Sequence, residues 1–247
     1  MVLSTQRSGS TLLCRDIASL EKLGTPDEHF LELLSERTVD ENSFSRLIAK
    51  GNPNGTDYYA INLMYNYLHT FGAWVMTGNI NSKRGSIEDR RRAALQFFVD
   101  RFDHVVFVAV ERKNLFDQAL SRYRSQKTNV FHVTNTGKII SGFSKERCRE
   151  ADVIREFDFE CFWNICSELV NERRNFSTLI ENCGLHFIRL DYATIVDNFP
   201  DYLNQIIDSA GIGPLSITRS ERALKKIVSK DFYDAARHAF LKRLGLT

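Results

Sequence analysis

Met1-Val2-Leu3-Ser4-Thr5-Gln6-Arg7-Ser8-Gly9-Ser10-Thr11-Leu12-Leu13 is the stretch whose reading decides the fold. Its first three residues read as the end of a short buried strand. A turn of small polar residues follows, and then a helix from Thr11 to about Leu23, where Leu12, Leu13, Ile17 and Leu20 recur at helical spacing. Gly24-Thr25-Pro26 ends that helix, since glycine suits the position after a helix and proline cannot continue the hydrogen-bond ladder. A turn between a strand and a helix start aims several backbone N–H groups at one point, and the helix dipole favours an anion there. Gly9 allows close backbone approach. Ser8, Ser10 and Thr11 add hydroxyl donors, and Arg7 adds a planar cation suited to oxyanions. Taken alone, the segment is equally a Ser/Thr helix cap with nothing bound.

Further along, residues 31–72 are weakly patterned and mostly helical, interrupted by the loop Gly51-Asn52-Pro53-Asn54-Gly55. Ala73-Trp74-Val75-Met76 reads as a second strand. Ile87 to Asp100 is a charged helix whose Arg90-Arg91-Arg92 suits a solvated face. The clearest strand is His104-Val105-Val106-Phe107-Val108-Ala109-Val110, a continuous apolar run of the kind found where both faces of a parallel sheet are covered. A helix from Asn114 to Gln126, a polar loop region over 127–150 and a long helix from Asp158 to Asn182 come next. His186-Phe187-Ile188-Arg189-Leu190 is another short strand, Asp191-Tyr192 leads toward a helix near 197–210, and Ser220 to Leu244 is a basic helical tail. Strands alternating with helices imply an α/β chain with a central parallel sheet of P-loop-NTPase-like type, flanked by helices. Ligands bind outside the carboxyl ends of such strands, which directs attention to residues 4–11, 111–112 and 191–192.

The 247 residues, 43% hydrophobic and 26% charged, suffice for one substantial core, so a single domain over 1–247 is expected. A formal net charge of +2 argues against non-specific nucleic-acid binding. The five cysteines, Cys14, Cys148, Cys161, Cys166 and Cys183, form no CxxC pair and sit in no histidine-rich cluster, so no metal site is expected. Their odd number suits a reduced, cytoplasmic protein. No basic-then-apolar leader is present, and no apolar run approaches the roughly 18 residues that cross a bilayer.

Laid against the NTPase pattern GxxxxGK[ST], Gly9 and Thr11 match, but Ser4 replaces the first glycine and Ser10 the lysine. That lysine reaches the β- and γ-phosphates of a triphosphate. No convincing strand ends in an aspartate that would hold Mg²⁺. The loop therefore fits less charge than a triphosphate–metal complex carries, and a single phosphosulfate fits better.

The residues Gln6-Arg7-Ser8-Gly9-Ser10-Thr11-Leu12-Leu13, followed by Gly24-Thr25-Pro26-Asp27-Glu28-His29-Phe30, resemble the QRSGSTLL and G-x-P-x-E-[YF]-F signatures of the bacterial carbohydrate sulfotransferases that use PAPS. These are the enzymes of the trehalose 2-sulfotransferase and lipopolysaccharide sulfotransferase type. A second signature is an arginine at a strand end with a serine nine residues on, and Arg112 to Ser125 is similar to it, keeping Arg112, Gln118-Ala119 and Ser121. Weaker likenesses are Gln126 to His132 and Leu190-Asp191-Tyr192. The resemblance implies a sulfotransferase fold with a helical C-terminal tail, and PAPS as the donor. It implies that Arg7, Ser8, Gly9, Ser10 and Thr11 hold the 5′-phosphosulfate and that Arg112 and Ser121 hold the 3′-phosphate. Ser121 can meet Arg112 only if its helix starts a few residues after the arginine. Glu28 is implied as general base and Arg7 as a catalytic cation, with His29 and His132 as lesser candidates for the base. The acceptor implied is a carbohydrate or glycolipid hydroxyl.

Two departures stand out. Residues 74–80 lack the lysine and second aromatic of the family's W-G-x-K-[LI]-x-W strand, which bears on acceptor recognition. A C-terminal cover for the donor is weakly matched, with Lys225-Lys226 as candidates. Tyr58, Tyr59, Trp74 and Tyr123 could stack on sugar rings or belong to the core. The competing readings are a small-molecule kinase or NTPase on the same fold, and a non-catalytic PAPS- or PAP-binding protein. A homo-oligomer is compatible with either reading.

Overall fold

The structure is a computed structural model that describes residues 1–34, 40–133, 139–142, 149–215, 217 and 228–246. The elements in chain order begin β1 (Val2–Ser4), α1 (Ser10–Ala18), α2 (Phe30–Leu33), α3 (Glu41–Gly51), β2 (Asn62–Met64), α4 (Tyr65–Thr77), α5 (Ile87–Arg101) and β3 (Phe107–Glu111). They continue with α6 (Leu115–Thr128), β4 (Val130–Val133), β5 (Ile139–Gly142), α7 (Glu150–Arg155), α8 (Phe159–Asn182), β6 (Phe187–Asp191), α9 (Tyr192–Asp197), α10 (Asp201–Ser209) and α11 (Lys230–Arg243). The chain forms two compact units, Met1–Lys113 with Glu172–Thr218, and Asn114–Asn171 with Arg219–Thr247.

The first unit is built on a four-stranded parallel sheet in the order β2-β1-β3-β6. Alternation along each strand sends side chains to opposite faces, and each face has its own core. Leu3, Leu63, Phe107, Ala109 and Phe187 meet residues of α2 to α5, together with Phe176, Leu179 and Ile180 near the end of α8. Val2, Val108, Val110, Ile188 and Leu190 meet α1, α9 and α10. Both faces are covered, which explains why β3 reads as an unbroken apolar run.

Several boundaries differ from the sequence reading. Helix α1 stops at Ala18, five residues short of Leu23, because Ser19 donates its hydroxyl to the Asp16 carbonyl at 2.7 Å and Glu21 turns to a φ of 56°. The second strand is not Ala73-Trp74-Val75-Met76. Those residues lie inside α4, where Ala73 and Trp74 are buried, and the strand is Asn62-Leu63-Met64, in register with Val2-Leu3-Ser4. A short apolar run cannot be assigned by pattern alone, and here helical packing on α5 decides it. Residues 127–150 also hold more than loop, since β4 and β5 pair there in antiparallel fashion.

In the second unit, Ala119, Leu120 and Tyr123 of α6, Phe162, Ile165 and Leu169 of α8, and Phe232 and Ala236 of α11 share one core. Arg124 pairs with Glu150 at 2.9 Å, and Glu150 also accepts from the Ser229 hydroxyl at 2.8 Å. Cys148, Lys225 and Lys226 lie outside the described residues, as does the first part of the basic tail. Among the described residues, no helix is long and apolar enough to cross a membrane.

Candidate functional site

The strand order puts β1 between β2 and β3, so the chain crosses to opposite sides of β1 on its successive returns. Ligand crevices of open α/β sheets form at such a switch point. From the carboxyl end of β1, the backbone turns through Arg7 at a φ of 63° and Gly9 at a φ of 104° before entering α1. Left-handed residues of this kind curl the chain so that successive N–H groups converge, the geometry of anion-binding concavities. Gly9 is the residue before α1, no side chain caps the helix start, and its first turn carries no acidic residue. The Ser8 hydroxyl is fully buried and has no hydrogen-bond partner. A buried donor left open at a helix start is what an oxyanion would satisfy.

Gly9 is required for a second reason. A Cβ there would lie 2.5 Å from Cδ2 of Tyr192 and 3.2 Å from Cε2, so the ring packs directly on the loop. Tyr192 is the first residue of α9, immediately beyond β6. The same ring lies under the Arg112 guanidinium, whose Cζ is 4.5 Å from the ring centroid. Arg112 stands just beyond β3 and is 9% exposed. Its neighbours are pinned on both sides. Glu111 pairs with Arg189 at 3.1 Å, and the Lys113 N–H donates to the Asp191 carboxylate at 2.8 Å. Asp191 also accepts from the Ala193 N–H at 3.1 Å, capping α9. Loop, Arg112 and Tyr192 thus share one edge of one sheet.

Glu28 lies between α1 and α2, on a segment tied to the edge strand by the Asn62 N–H donating to the Asp27 carbonyl at 3.0 Å. Behind it, the buried Ser4 hydroxyl donates to the Asn62 side chain at 3.1 Å, joining β1 and β2 near their ends. Glu28 does not cap the next helix. Helix α2 begins at Phe30 after His29, with no side-chain cap. The Glu28 carboxyl is held above the ordinary glutamate value, first by burial and then by the Asp27 carboxylate, while Arg7 pulls it back. Arg7 and Glu28 therefore share one electrostatic neighbourhood, a guanidinium near a partly desolvated carboxyl.

Of the remaining candidates, Ser10 is buried and Thr11 half-buried at the start of α1. Ser121 is buried on α6 of the second unit, and α6 begins at Leu115 with Asn114 as its capping residue. The His29 Nε2 is hydrogen-bonded to the Thr25 carbonyl at 3.1 Å. His132 is on β4, and its side chain lies outside the described part of the structure. Trp74 and Tyr123 are core, Tyr59 stacks on Phe102 with centroids 5.5 Å apart, and the Tyr58 hydroxyl donates to the Ala210 carbonyl at 3.4 Å. These contacts place all four in the protein interior and its flanks. Sequence reasoning pointed to the strand end at 191–192 but gave Tyr192 no role. An aromatic directly after the acidic end of a sheet strand was the available signal. Among the described residues, no His, Cys, Asp and Glu group could hold a metal ion.

A four-stranded parallel sheet flanked by helices, with a left-handed turn after β1 and an arginine after β3, is consistent with the sulfotransferase class of fold. The chain belongs to the Stf0 sulphotransferase family, whose model matches residues 1–238. No curated protein matches it. The family is a bacterial one and its activity is sulfuryl transfer, so the chain is a sulfotransferase in that general sense.

Proposed function

We propose that this protein transfers a sulfuryl group from PAPS to a hydroxyl of a carbohydrate or glycolipid, with Glu28 as general base. The observation that carries the reading is the helix start of α1, which no side chain caps, beside the buried and unsatisfied Ser8 hydroxyl, with Arg7 near enough to Glu28 to pull its carboxyl down. The donor set suits PAPS: the buried Ser8 hydroxyl, the loop N–H groups and Arg7 for the 5′-phosphosulfate, and Arg112 for the 3′-phosphate. Ser121 joins that set on the family resemblance alone, whereas one working domain over 1–247 rests on the chain length and a cytoplasmic setting on the odd cysteine count.

When bound, PAPS supplies an activated sulfuryl group and a phosphate leaving group. Transfer of this loose kind asks little covalent chemistry of the protein, and positioning with charge stabilisation does most of the work. Ser8, Gly9, Ser10 and Thr11 orient the donor against the helix start. Arg7 neutralises charge that develops on the oxygens around the reacting centre. Glu28 accepts the proton of the attacking hydroxyl, a contribution on the order of 10²–10⁴-fold for a well-placed base.

The test is acceptor-dependent release of PAP from PAPS, measured over a panel of sugars and glycolipids with wild type and Glu28→Gln. The reading expects turnover by wild type, with the variant binding PAP equally well and turning over at least about a hundredfold more slowly. A variant as fast as wild type removes Glu28 from the role. Wild-type stabilisation by Mg-ATP and not by PAP removes the donor assignment.

A further inference from the structure

We propose that Tyr192 is a positioning residue that fixes the Arg112 guanidinium at a set distance from the 4–11 loop, so that the site selects nucleotides phosphorylated at both ends. The inference rests on the PAPS reading above and extends it to a residue outside the loop and outside the phosphate ligands. Three observations support it. The ring lies against Gly9 so closely that even a methyl group there would collide with it. The same ring carries Arg112 at 4.5 Å. Its own backbone is anchored, since Asp191 is hydrogen-bonded to the N–H of Lys113, the residue after Arg112.

Tyr192 leaves β6, which is separated from β1 by β3. Its ring therefore spans from one strand end, past Arg112 on the next, to the loop on the third. An arginine side chain is long and loses considerable rotamer freedom when it binds. A ring already stacked under the guanidinium removes part of that loss before the ligand arrives, which is pre-organisation. The benefit falls on the phosphate that Arg112 grips and not on the one held by the loop. Recognition of the 3′-phosphate should thus depend on an aromatic ring at 192, while recognition of a lone 5′-phosphate should not. The hydroxyl of Tyr192 plays no part in this account, only the ring.

The experiment compares PAP with AMP, which lacks the 3′-phosphate, by calorimetric titration of wild type, Tyr192→Phe and Tyr192→Met. Methionine fills comparable space without an aromatic face. The expected result is that Phe binds both ligands as wild type does. Met should weaken PAP by about tenfold, the scale of a desolvated cation–π contact, and leave AMP within about threefold. A cycle with Arg112→Ala adds a readout that simple destabilisation would not give. In that background Tyr192→Met should cause no further loss of PAP affinity. Equal losses for PAP and AMP, or additive losses in the cycle, overturn the proposal. If Tyr192→Met does not fold, the proposal is judged on Tyr192→Phe alone, and a tenfold loss of PAP affinity there overturns it. Failure of wild type to bind PAP at all would instead overturn the PAPS reading, so the two failures are distinct.

Discussion

At Glu28, burial and the neighbouring Asp27 carboxylate push the carboxyl upward, and the Arg7 guanidinium pulls it down. The net displacement is upward from the ordinary value of 4.5. A base must be ionised to act, so activity is expected to fall as pH drops through this raised value, earlier than an exposed glutamate would lose it. The pH–rate profile of kcat/KM checks this, and its acid limb should vanish in Glu28→Gln along with most of the rate. Stability runs the other way. A carboxyl whose folded pKa exceeds its unfolded one favours the fold below the unfolded value, and that contribution is lost as pH rises through the folded value. Glu28→Gln should therefore melt higher than wild type near neutrality, with the difference closing in acid. Gly9 gives the second residue-scale prediction. With a φ of 104° and the Tyr192 ring 2.5 Å from any added Cβ, Gly9→Ala should lose about 1–3 kcal/mol of stability and most of the affinity for PAP, read by melting and by titration.

Helices α4 and α5 pack through a glycine, which makes the pair testable without touching the loop. A Cβ on Gly72 would sit 1.6 Å from the Arg90 carbonyl oxygen, so the two backbones meet there. Gly72→Ala should force them apart, costing about 1–3 kcal/mol or more by overpacking, while PAP affinity per folded molecule stays unchanged. This pair is also where the sequence was hardest to read. Trp74, Val75 and Met76 look like a strand by residue type, yet Tyr65, Leu68, Phe71, Gly72 and Trp74 are the buried face of α4. The strand that does form, Asn62–Met64, has only three residues and runs straight into α4 without a turn residue to mark it. By contrast β3 was legible because both of its faces are covered, and β1 because Gly9 and the serines punctuate its end. Arg7 and Glu28 were legible as one site only through the family resemblance, since the residues alone read as two separate motifs; the Asn62–Asp27 hydrogen bond ties the Glu28 segment to β2. The strand end at Tyr192 was legible but its contacts were not, because its partners, Gly9 and Arg112, are far away in sequence.

Across the whole molecule, the family match shows sulfuryl transfer in general and the parallel sheet is consistent with that fold, while the proposed donor is argued from where the charges lie. The most direct measurement is the shift in melting temperature on adding PAP or Mg-ATP, each at the same concentration. A ligand present at about 100 times its Kd stabilises by about 2.7 kcal/mol, which for a chain of this size is roughly 5–10 °C. The account predicts a shift of that size with PAP, a much smaller one with AMP, and none with Mg-ATP. A shift with Mg-ATP and none with PAP would contradict it.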